Sequence, residues 1–329
     1  MMKEQVMNGF SGRSGFLIRL FGTLFALVLL VYLLSQQGWG EIAAAIRGIP
    51  AWRLGLAVLF MLISRLAVSG RWYMLLRSGG IRISLPDTLR ITFAGLFASN
   101  FLPTTIGGDV IRLAGALQLK LDAAISAASL IVDRLVGMAG MAMLLPFGVP
   151  EFLDAQTLRG AGLLNASLLA GFGALPVRKW MGTGWQKGMK IFRRISSALA
   201  LWLKQPRALL FSLFFTWIHM ICLFGVISMV LQGMGEHIPF LLIGGLYSIV
   251  YFVTLLPFSI NGYGIQEVSM TLIFSSVGGA SVQSGLTAAL LFRTIMMLAS
   301  TPGFIFVPGL LPGAKKRGNV TTGAGHKAG

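Results

Sequence analysis

Long apolar runs alternate with short polar stretches along most of the chain. A run of about 20 apolar residues is long enough to cross a hydrocarbon core of roughly 30 Å as a helix. Strands of an outer-membrane barrel would instead alternate apolar and polar residues over about ten positions. The pattern therefore predicts an all-α polytopic membrane protein with about six full transmembrane spans. These spans are residues 17–35, 51–70, 124–148, 160–177, 208–231 and 285–311.

Two further apolar segments, near 88–120 and 240–280, are interrupted by Pro, Gly and polar residues. Both contain the spacing Leu-Pro-x-x-Ile-x-Gly-x-x-Ile. A broken helix at membrane depth is tolerated only inside protein or beside a polar cavity, and paired breaks are typical of inverted-repeat transporters. We predict two re-entrant helical hairpins in an inverted repeat; the alternative is two surface loops between ordinary spans. The matching residues are Leu102, Pro103, Ile106, Gly108 and Ile111, and Leu256, Pro257, Ile260, Gly262 and Ile265.

Basic residues flank alternate ends of the apolar runs. By the positive-inside rule, the Lys- and Arg-rich connections face the cytoplasm, which predicts cytoplasmic N- and C-termini. No small-residue cleavage site follows the first run, so we predict a retained span rather than a signal peptide. The cytoplasmic markers are Arg13, Arg19, Arg71, Arg77, Arg82, Arg90, Lys315, Lys316 and Arg317, whereas Glu41, Glu151, Asp154 and Glu236 mark the opposite side.

The chain is expected to form one transmembrane domain over residues 1–313, followed by a Gly-rich, disordered cytoplasmic tail at 314–329. Within it, the stretch 178–207 carries eight basic residues, no acid and several aromatic residues. This composition is typical of a basic amphipathic segment on an anionic leaflet; the alternative is an ordinary positive-inside connection. Because the membrane already explains the basicity, we expect no nucleic-acid partner.

Composition excludes a soluble globular domain. Of 329 residues, 55% are hydrophobic and 11% are charged, and the mean hydropathy is +0.79. The single cysteine, Cys222, cannot form an internal disulfide, and the three histidines are scattered. We therefore expect neither a metal site nor another cofactor.

Several charged residues interrupt the apolar segments. A charge near the bilayer centre costs at least about 2.5–3.5 kcal/mol, so it is usually paired or functional. Four arginines against three acids leave a positive surplus that would suit a phosphate, and helix N-termini after the broken-segment glycines would add N–H donors. Alternatively, the charges pair only to hold helices together, although Arg65 and Arg293 have no obvious local partner. These residues are Arg65, Asp109, Arg112, Asp133, Arg134, Glu267 and Arg293.

These residues and their neighbours carry a family resemblance. The chain resembles the flippase-like transmembrane family, whose best known relative is the N-terminal membrane region of lysylphosphatidylglycerol synthase. The resemblance covers nearly the whole chain and departs from the family pattern at Asn261 and Gln266. It implies a helical bundle with re-entrant elements that translocates a charged lipid. Its carriers are Asn100-Phe101-Leu102-Pro103, Gly107-Gly108-Asp109, Arg112, Asp133-Arg134, Leu256-Pro257, Gly262-x-Gly264, Glu267 and Arg293.

We therefore expect a lipid flippase or transporter of the bacterial inner membrane that binds an anionic or phosphate-bearing lipid and is not an enzyme. The alternatives are a membrane-embedded lipid-modifying transferase and an accessory scaffold for lipid-biosynthesis enzymes. The expected lipid-binding residues are Arg65, Asn100, Pro103, Gly107, Gly108, Asp109, Arg112, Asp133, Arg134, Pro257, Asn261, Gly262, Gly264, Glu267 and Arg293.

Overall fold

A computed structural model describes residues 39–101, 107–154, 204–255 and 262–307, together with Val28, Val31 and Trp202. Regular structure within these residues is helical. Two 3-10 turns, Leu145–Phe147 and Thr301–Ile305, closely follow α5 and α10. The helices are α1 (Trp39–Gly48), α2 (Ala51–Ser78), α3 (Leu85–Phe101), α4 (Gly107–Gln118), α5 (Ala123–Ala142), α6 (Val149–Asp154), α7 (Pro206–Gly233), α8 (Phe240–Leu255), α9 (Ile265–Ser276) and α10 (Val282–Leu298).

In the described part of the chain, four helical segments are long and apolar enough to cross a membrane: Ala51–Ser78, Ala123–Phe147, Pro206–Gly233 and Val282–Ile305. They match the spans predicted at 51–70, 124–148, 208–231 and 285–311. The chain is therefore a multi-pass membrane protein. The predicted spans 17–35 and 160–177, most of the basic segment 178–207 and the tail 314–329 lie outside the described residues.

Helix α2 continues well beyond the span predicted for it and ends at Ser78. It therefore contains Arg71, whose side chain is 9% exposed. The expectation that Arg71 lies in a cytoplasmic connection is wrong, because a buried carboxylate from α5 compensates its charge. A prediction from hydropathy alone therefore ends the helix too early where a charged residue is buried and paired.

Each broken segment consists of two short helices. Helices α3 and α4 have 17 and 12 residues, and helices α8 and α9 have 16 and 12 residues. All four are shorter than the roughly 20 residues of one full crossing. The connecting residues 102–106 and 256–261 lie outside the described part of the chain. At the end of the second break, Gly262 and Gly264 have φ values of 70° and 78°, which glycine adopts without steric cost.

The element order repeats along the chain. Helix α2 and helix α7 each have 28 residues. Each is followed by a helix of 16 or 17 residues, a helix of 12 residues, a helix of 17 or 20 residues and a 3-10 turn. We call α2–α5 with its turn the first repeat, and α7–α10 with its turn the second repeat.

The two long helices pack through a reciprocal contact. A Cβ added to Gly225 would lie 2.7 Å from the ring of Phe60, and one added to Gly70 would lie 2.8 Å from the ring of Phe215. Phe60 and Phe215 are each the tenth residue of their helix, and both glycines are the twentieth. Because an early residue of each helix meets a late residue of the other, α2 and α7 are antiparallel. This is the self-complementary contact of two elements related by a two-fold axis.

A hydrogen bond lies between the two reciprocal contacts. Ser64 Oγ and His219 Nδ1 are 2.6 Å apart, and both residues are the fourteenth of their helix. The approximate two-fold axis that relates α2 to α7 therefore passes close to this pair. Because the axis relates antiparallel helices, it runs perpendicular to them.

Small residues allow the two helices of the first hairpin, α3 and α4, to pack closely. A Cβ added to Gly95 would lie 2.7 Å from Arg112 Cγ and 2.8 Å from the carbonyl oxygen of Gly108. A Cβ added to Gly108 would in turn overlap the Ser99 hydroxyl. The two helices therefore approach closely enough to hold Arg112 against α3.

Candidate functional site

A cavity of about 260 Å³ lies among α2, α3, α4, α5, α7 and α8. Within the described residues, four arginines and two aspartates line it, which leaves a formal surplus of two positive charges when His219 is neutral. The first repeat supplies all six of these charged side chains. The lining residues are Arg65, Val68, Arg71, Thr92, Gly95, Leu96, Ser99, Gly108, Asp109, Arg112, Asp133, Arg134, Gly137, Met141, Thr216, His219, Met220 and Tyr251.

Asp133 joins two of the arginines. Arg71 donates from Nε to Asp133 Oδ1 at 2.6 Å, and Arg112 donates from Nη1 to Asp133 Oδ2 at 3.0 Å. Arg71 also donates to the hydroxyl of Thr216 at 3.2 Å, which ties the cluster to α7. All three charged groups are buried, so one carboxylate is shared by two guanidinium groups away from water.

Asp109 joins Arg112 to the more exposed Arg134. It accepts a hydrogen bond from Arg134 Nε, and Arg112 Nη1 lies 3.4 Å from its other oxygen. The Arg134 side chain is 52% exposed and that of Arg112 is 8% exposed. The ion-pair network therefore runs from a half-exposed edge, through Asp109, to the buried Asp133.

Arg112 retains unused hydrogen-bonding capacity. Its guanidinium carbon lies 4.3 Å from the ring centroid of Trp72, and its Nη1 is used by the two aspartates. Its Nε and Nη2 are buried and have no partner among the described residues. These two atoms form one edge of the guanidinium, which is the edge that pairs with two oxygens of a phosphate or carboxylate.

Two other side chains that line the cavity also have unpartnered buried atoms. Arg65 Nε and Thr92 Oγ1 have no hydrogen-bond partner within the described part of the chain. Within the described residues, the Arg65 guanidinium makes one long hydrogen bond, from Nη2 to the carbonyl oxygen of Met296 at 3.5 Å. Buried donors without partners cost free energy, so the cavity contains polar capacity that a ligand could satisfy.

A separate ion pair lies at the second break. Arg293 donates from Nε to Glu267 Oε1 at 2.6 Å and from Nη2 to the carbonyl oxygen of Gly262 at 3.2 Å. The backbone N–H of Gly264 donates to the other Glu267 oxygen at 2.8 Å. Arg293 therefore has a carboxylate partner that is distant in sequence, and the Gly264 amide is not a free donor. Neither charged residue lines the cavity.

The ends of the two broken segments contact each other. The Tyr263 hydroxyl donates to the carbonyl oxygen of Asn100, just before the first break. The side-chain amide of Asn100 donates to Ser300 Oγ at 2.8 Å. The Arg293 guanidinium lies 4.8 Å from the Tyr263 ring centroid. One chain of contacts therefore runs from Glu267 in the second repeat to the end of α3 in the first.

The buried charged triad of the first repeat, Arg71, Arg112 and Asp133, has apolar counterparts in the second repeat. Arg71, Arg112 and Asp133 are the twenty-first, sixth and eleventh residues of α2, α4 and α5. The same positions of α7, α9 and α10 hold three fully buried apolar residues, Val226, Met270 and Phe292. The second repeat therefore has apolar side chains at the helix positions where the first repeat has buried charges.

Six of the residues expected at the site line the cavity together: Arg65, Gly108, Asp109, Arg112, Asp133 and Arg134. Gly107 is buried at the start of α4. Asn100, Gly262, Gly264, Glu267 and Arg293 belong instead to the contacts at the second break and between the breaks. Pro103, Pro257 and Asn261 lie outside the described residues.

Several residues that line the cavity were not predicted from the sequence as site residues, notably Arg71, Thr92, Thr216 and Tyr251. A periodicity signal exists for one of them, Thr92, which lies one α-helical turn before Leu96 and two before Ser99 on α3. Among the described residues, no group of three or more His, Cys, Asp or Glu side chains could hold a metal ion.

Comparison with known proteins identifies one family. The family model described as the lysylphosphatidylglycerol synthase TM region matches residues 19–303, which includes the cavity and both broken segments. A search of curated proteins finds no match.

Proposed function

The chain belongs to the lysylphosphatidylglycerol synthase TM region family, and on that premise we propose that it binds an anionic or phosphate-bearing lipid and translocates it across the bacterial inner membrane. Family membership supports a function related to membrane lipids. The more specific proposal depends on the cavity of the first repeat.

One observation carries the proposal: the first repeat has a buried charged triad where the second repeat has Val226, Met270 and Phe292. Replacing a buried ion network with hydrophobic residues is often neutral or stabilising. Stability alone therefore gives little reason for charge at these positions. The unpartnered edge of Arg112 in the same cavity supports an oxyanion as the missing partner.

The dimensions of the cavity favour a headgroup rather than a whole lipid. Pockets that enclose a drug-sized ligand measure about 300–1,000 Å³, and this cavity measures about 260 Å³. In the proposed complex the headgroup phosphate contacts Arg112 and Arg65, and the half-exposed Arg134 lies on the entry side. The hydrocarbon tails remain in the surrounding lipid, so they need no space inside the protein.

We further propose that the two broken segments are re-entrant hairpins in an inverted repeat. At 1.5 Å per residue, helices of 12 residues reach only about 18 Å into a core of roughly 30 Å. The antiparallel packing of α2 and α7 supports opposite orientations for the two repeats in the membrane. The contact of Tyr263 with Asn100 would then lie where the two hairpins meet.

Reconstitution of the purified chain in liposomes tests the proposal. Acyl-labelled anionic lipids should move between leaflets, and a zwitterionic lipid with the same acyl label should move more slowly. The Arg112→Gln variant should lose at least about tenfold in rate, which corresponds to one charge-assisted contact of about 1.4 kcal/mol or more. Arg90→Gln is the matched control, because its side chain is 62% exposed and outside the cavity.

Two results would overturn this function. Equal lipid-translocation rates for wild type, Arg112→Gln and protein-free liposomes would show that the chain does not translocate lipid. Product formation from a lipid and an activated donor by the purified chain alone would instead identify a lipid-modifying transferase.

A further inference from the structure

The cavity charges do not balance. Asp133 is shared by Arg71 and Arg112, and Asp109 is paired with Arg134. Arg65 has no carboxylate partner among the described residues, although it is only 6% exposed. The cavity therefore holds four guanidinium groups against two carboxylates within the described chain. Uncompensated charge in a site of low dielectric constant is costly, so the occupied site needs about two negative charges.

From this balance we infer that the headgroup taken by the cavity is a dianionic phosphate monoester at the end of a lipid. A phosphate monoester carries a charge of about −1.5 to −2 at pH 7, whereas a phosphodiester carries only one negative charge. The monoester also has three terminal oxygens to accept hydrogen bonds. The inference rests on the proposed function and narrows its substrate class.

The unpartnered donors match this headgroup. Arg112 offers the two donors of one edge, Nε and Nη2, while Arg65 offers Nε and Thr92 offers a hydroxyl. All three residues are at least nine-tenths buried and line one cavity. Together they provide four donor groups for the terminal oxygens of a phosphate, and the charge balance is what favours the monoester over the diester.

A comparison of lipids that differ only in headgroup charge tests the inference. Liposomes containing the full chain are supplied with acyl-labelled phosphatidic acid, a monoester, or with phosphatidylglycerol, a diester, bearing the same label. Wild type should translocate the monoester at least about tenfold faster, because one unmatched charge in a buried site costs more than the equivalent of one decade in rate. Equal rates for the two lipids would overturn the inference and leave the proposed function standing.

Charge removal in the cavity provides a second readout. Arg65→Gln lowers the positive surplus from two to one, so the ratio of monoester to diester rates should fall at least about fivefold by the same reasoning. Thr92→Val removes a neutral donor and should slow both lipids without changing that ratio. The Arg90→Gln control should leave the ratio unchanged. A ratio that Arg65→Gln leaves unchanged would overturn the inference even if that variant folds and transports normally.

Inorganic phosphate distinguishes a lipid headgroup from a free anion. Uptake of radiolabelled phosphate into the same liposomes should not exceed that of protein-free vesicles. Phosphate uptake without lipid movement would overturn both the lipid inference and the proposed function. If neither lipid moves and no phosphate enters, the proposed function itself fails.

Discussion

Arg134 and Arg293 occupy the same position in the two repeats, as the twelfth residues of α5 and α10. Each donates from Nε to an acid that is the third residue of the preceding short helix, Asp109 in α4 and Glu267 in α9. The two pairs differ in their surroundings. The Arg134 side chain is 52% exposed, whereas that of Arg293 is 9% exposed. The same pair geometry therefore occurs at the edge of the cavity in the first repeat and in a buried contact in the second.

Arg293→Gln should destabilise the protein far more than Arg134→Gln. Removing one partner of a buried ion pair leaves the other charge uncompensated, which costs about 3–5 kcal/mol, whereas exposed pairs contribute about 0.2–1 kcal/mol. The free energy of unfolding in detergent, measured by denaturant titration, distinguishes the two cases. The double variant Arg293→Leu with Glu267→Leu should recover much of the lost stability. Similar losses for the two single variants would contradict this assignment.

Gly108→Ala should weaken the first hairpin. The added methyl group would overlap the Ser99 hydroxyl and approach the Gly95 carbonyl oxygen to 2.7 Å, and overpacking of this kind costs about 1–3 kcal/mol. The matched control is Gly55→Ala in α2, where a Cβ meets no atom within 4 Å. That change should be neutral or stabilising by up to about 1 kcal/mol, because alanine favours the helix. Denaturant titration of both variants measures the difference, and equal stabilities would exclude the tight α3–α4 contact.

Tyr263→Phe tests the contact between the two breaks. The variant loses the hydrogen bond to the Asn100 carbonyl oxygen but keeps the ring against Arg293. We expect a loss of about 0.5–1.5 kcal/mol in the free energy of unfolding. Tyr263→Ala also loses the cation–π contact and ring packing, so its loss should be larger. If Tyr263→Phe matched wild type in stability, the hydroxyl would have no role in joining the two segments.

The sequence predicted the spans better than it predicted the charge pairing. Long apolar runs identify α2, α5, α7 and α10 because hydropathy depends only on neighbouring residues. The partner of Arg71 is Asp133, which is distant in sequence, so the charge pattern placed Arg71 in a connection. The same limit hid the Arg293 partner, Glu267, on another helix.

The internal repeat illustrates a second limit. The sequence motif aligns Gly108 with Gly262, but the structure aligns the start of α4 at Gly107 with the start of α9 at Ile265. The breaks differ in length between the two repeats. A single sequence offset therefore cannot align both the helices before the breaks and the helices after them. The equivalence of Asp109 with Glu267 follows only from the helix starts.

The apolar residues of the second repeat suggest the sharpest test of the charged triad. Exchanging Arg71→Val, Arg112→Met and Asp133→Phe together would give the first repeat the residues found at the same helix positions in the second. The triple variant should fold with a stability equal to wild type or higher by about 1–4 kcal/mol, because it removes the desolvation cost of buried charge. Its lipid translocation should fall to the level of protein-free liposomes.

Single substitutions in the triad should behave in the opposite way. Asp133→Asn leaves Arg71 and Arg112 buried without a full negative partner, so it should lose about 3–5 kcal/mol of stability. Denaturant titration and the liposome assay on the same preparations separate folding from transport. A triple variant that still translocates lipid at the wild-type rate would show that the charged triad is not needed for transport. One that unfolds would show that the repeats are not interchangeable at these positions, because their backbones differ.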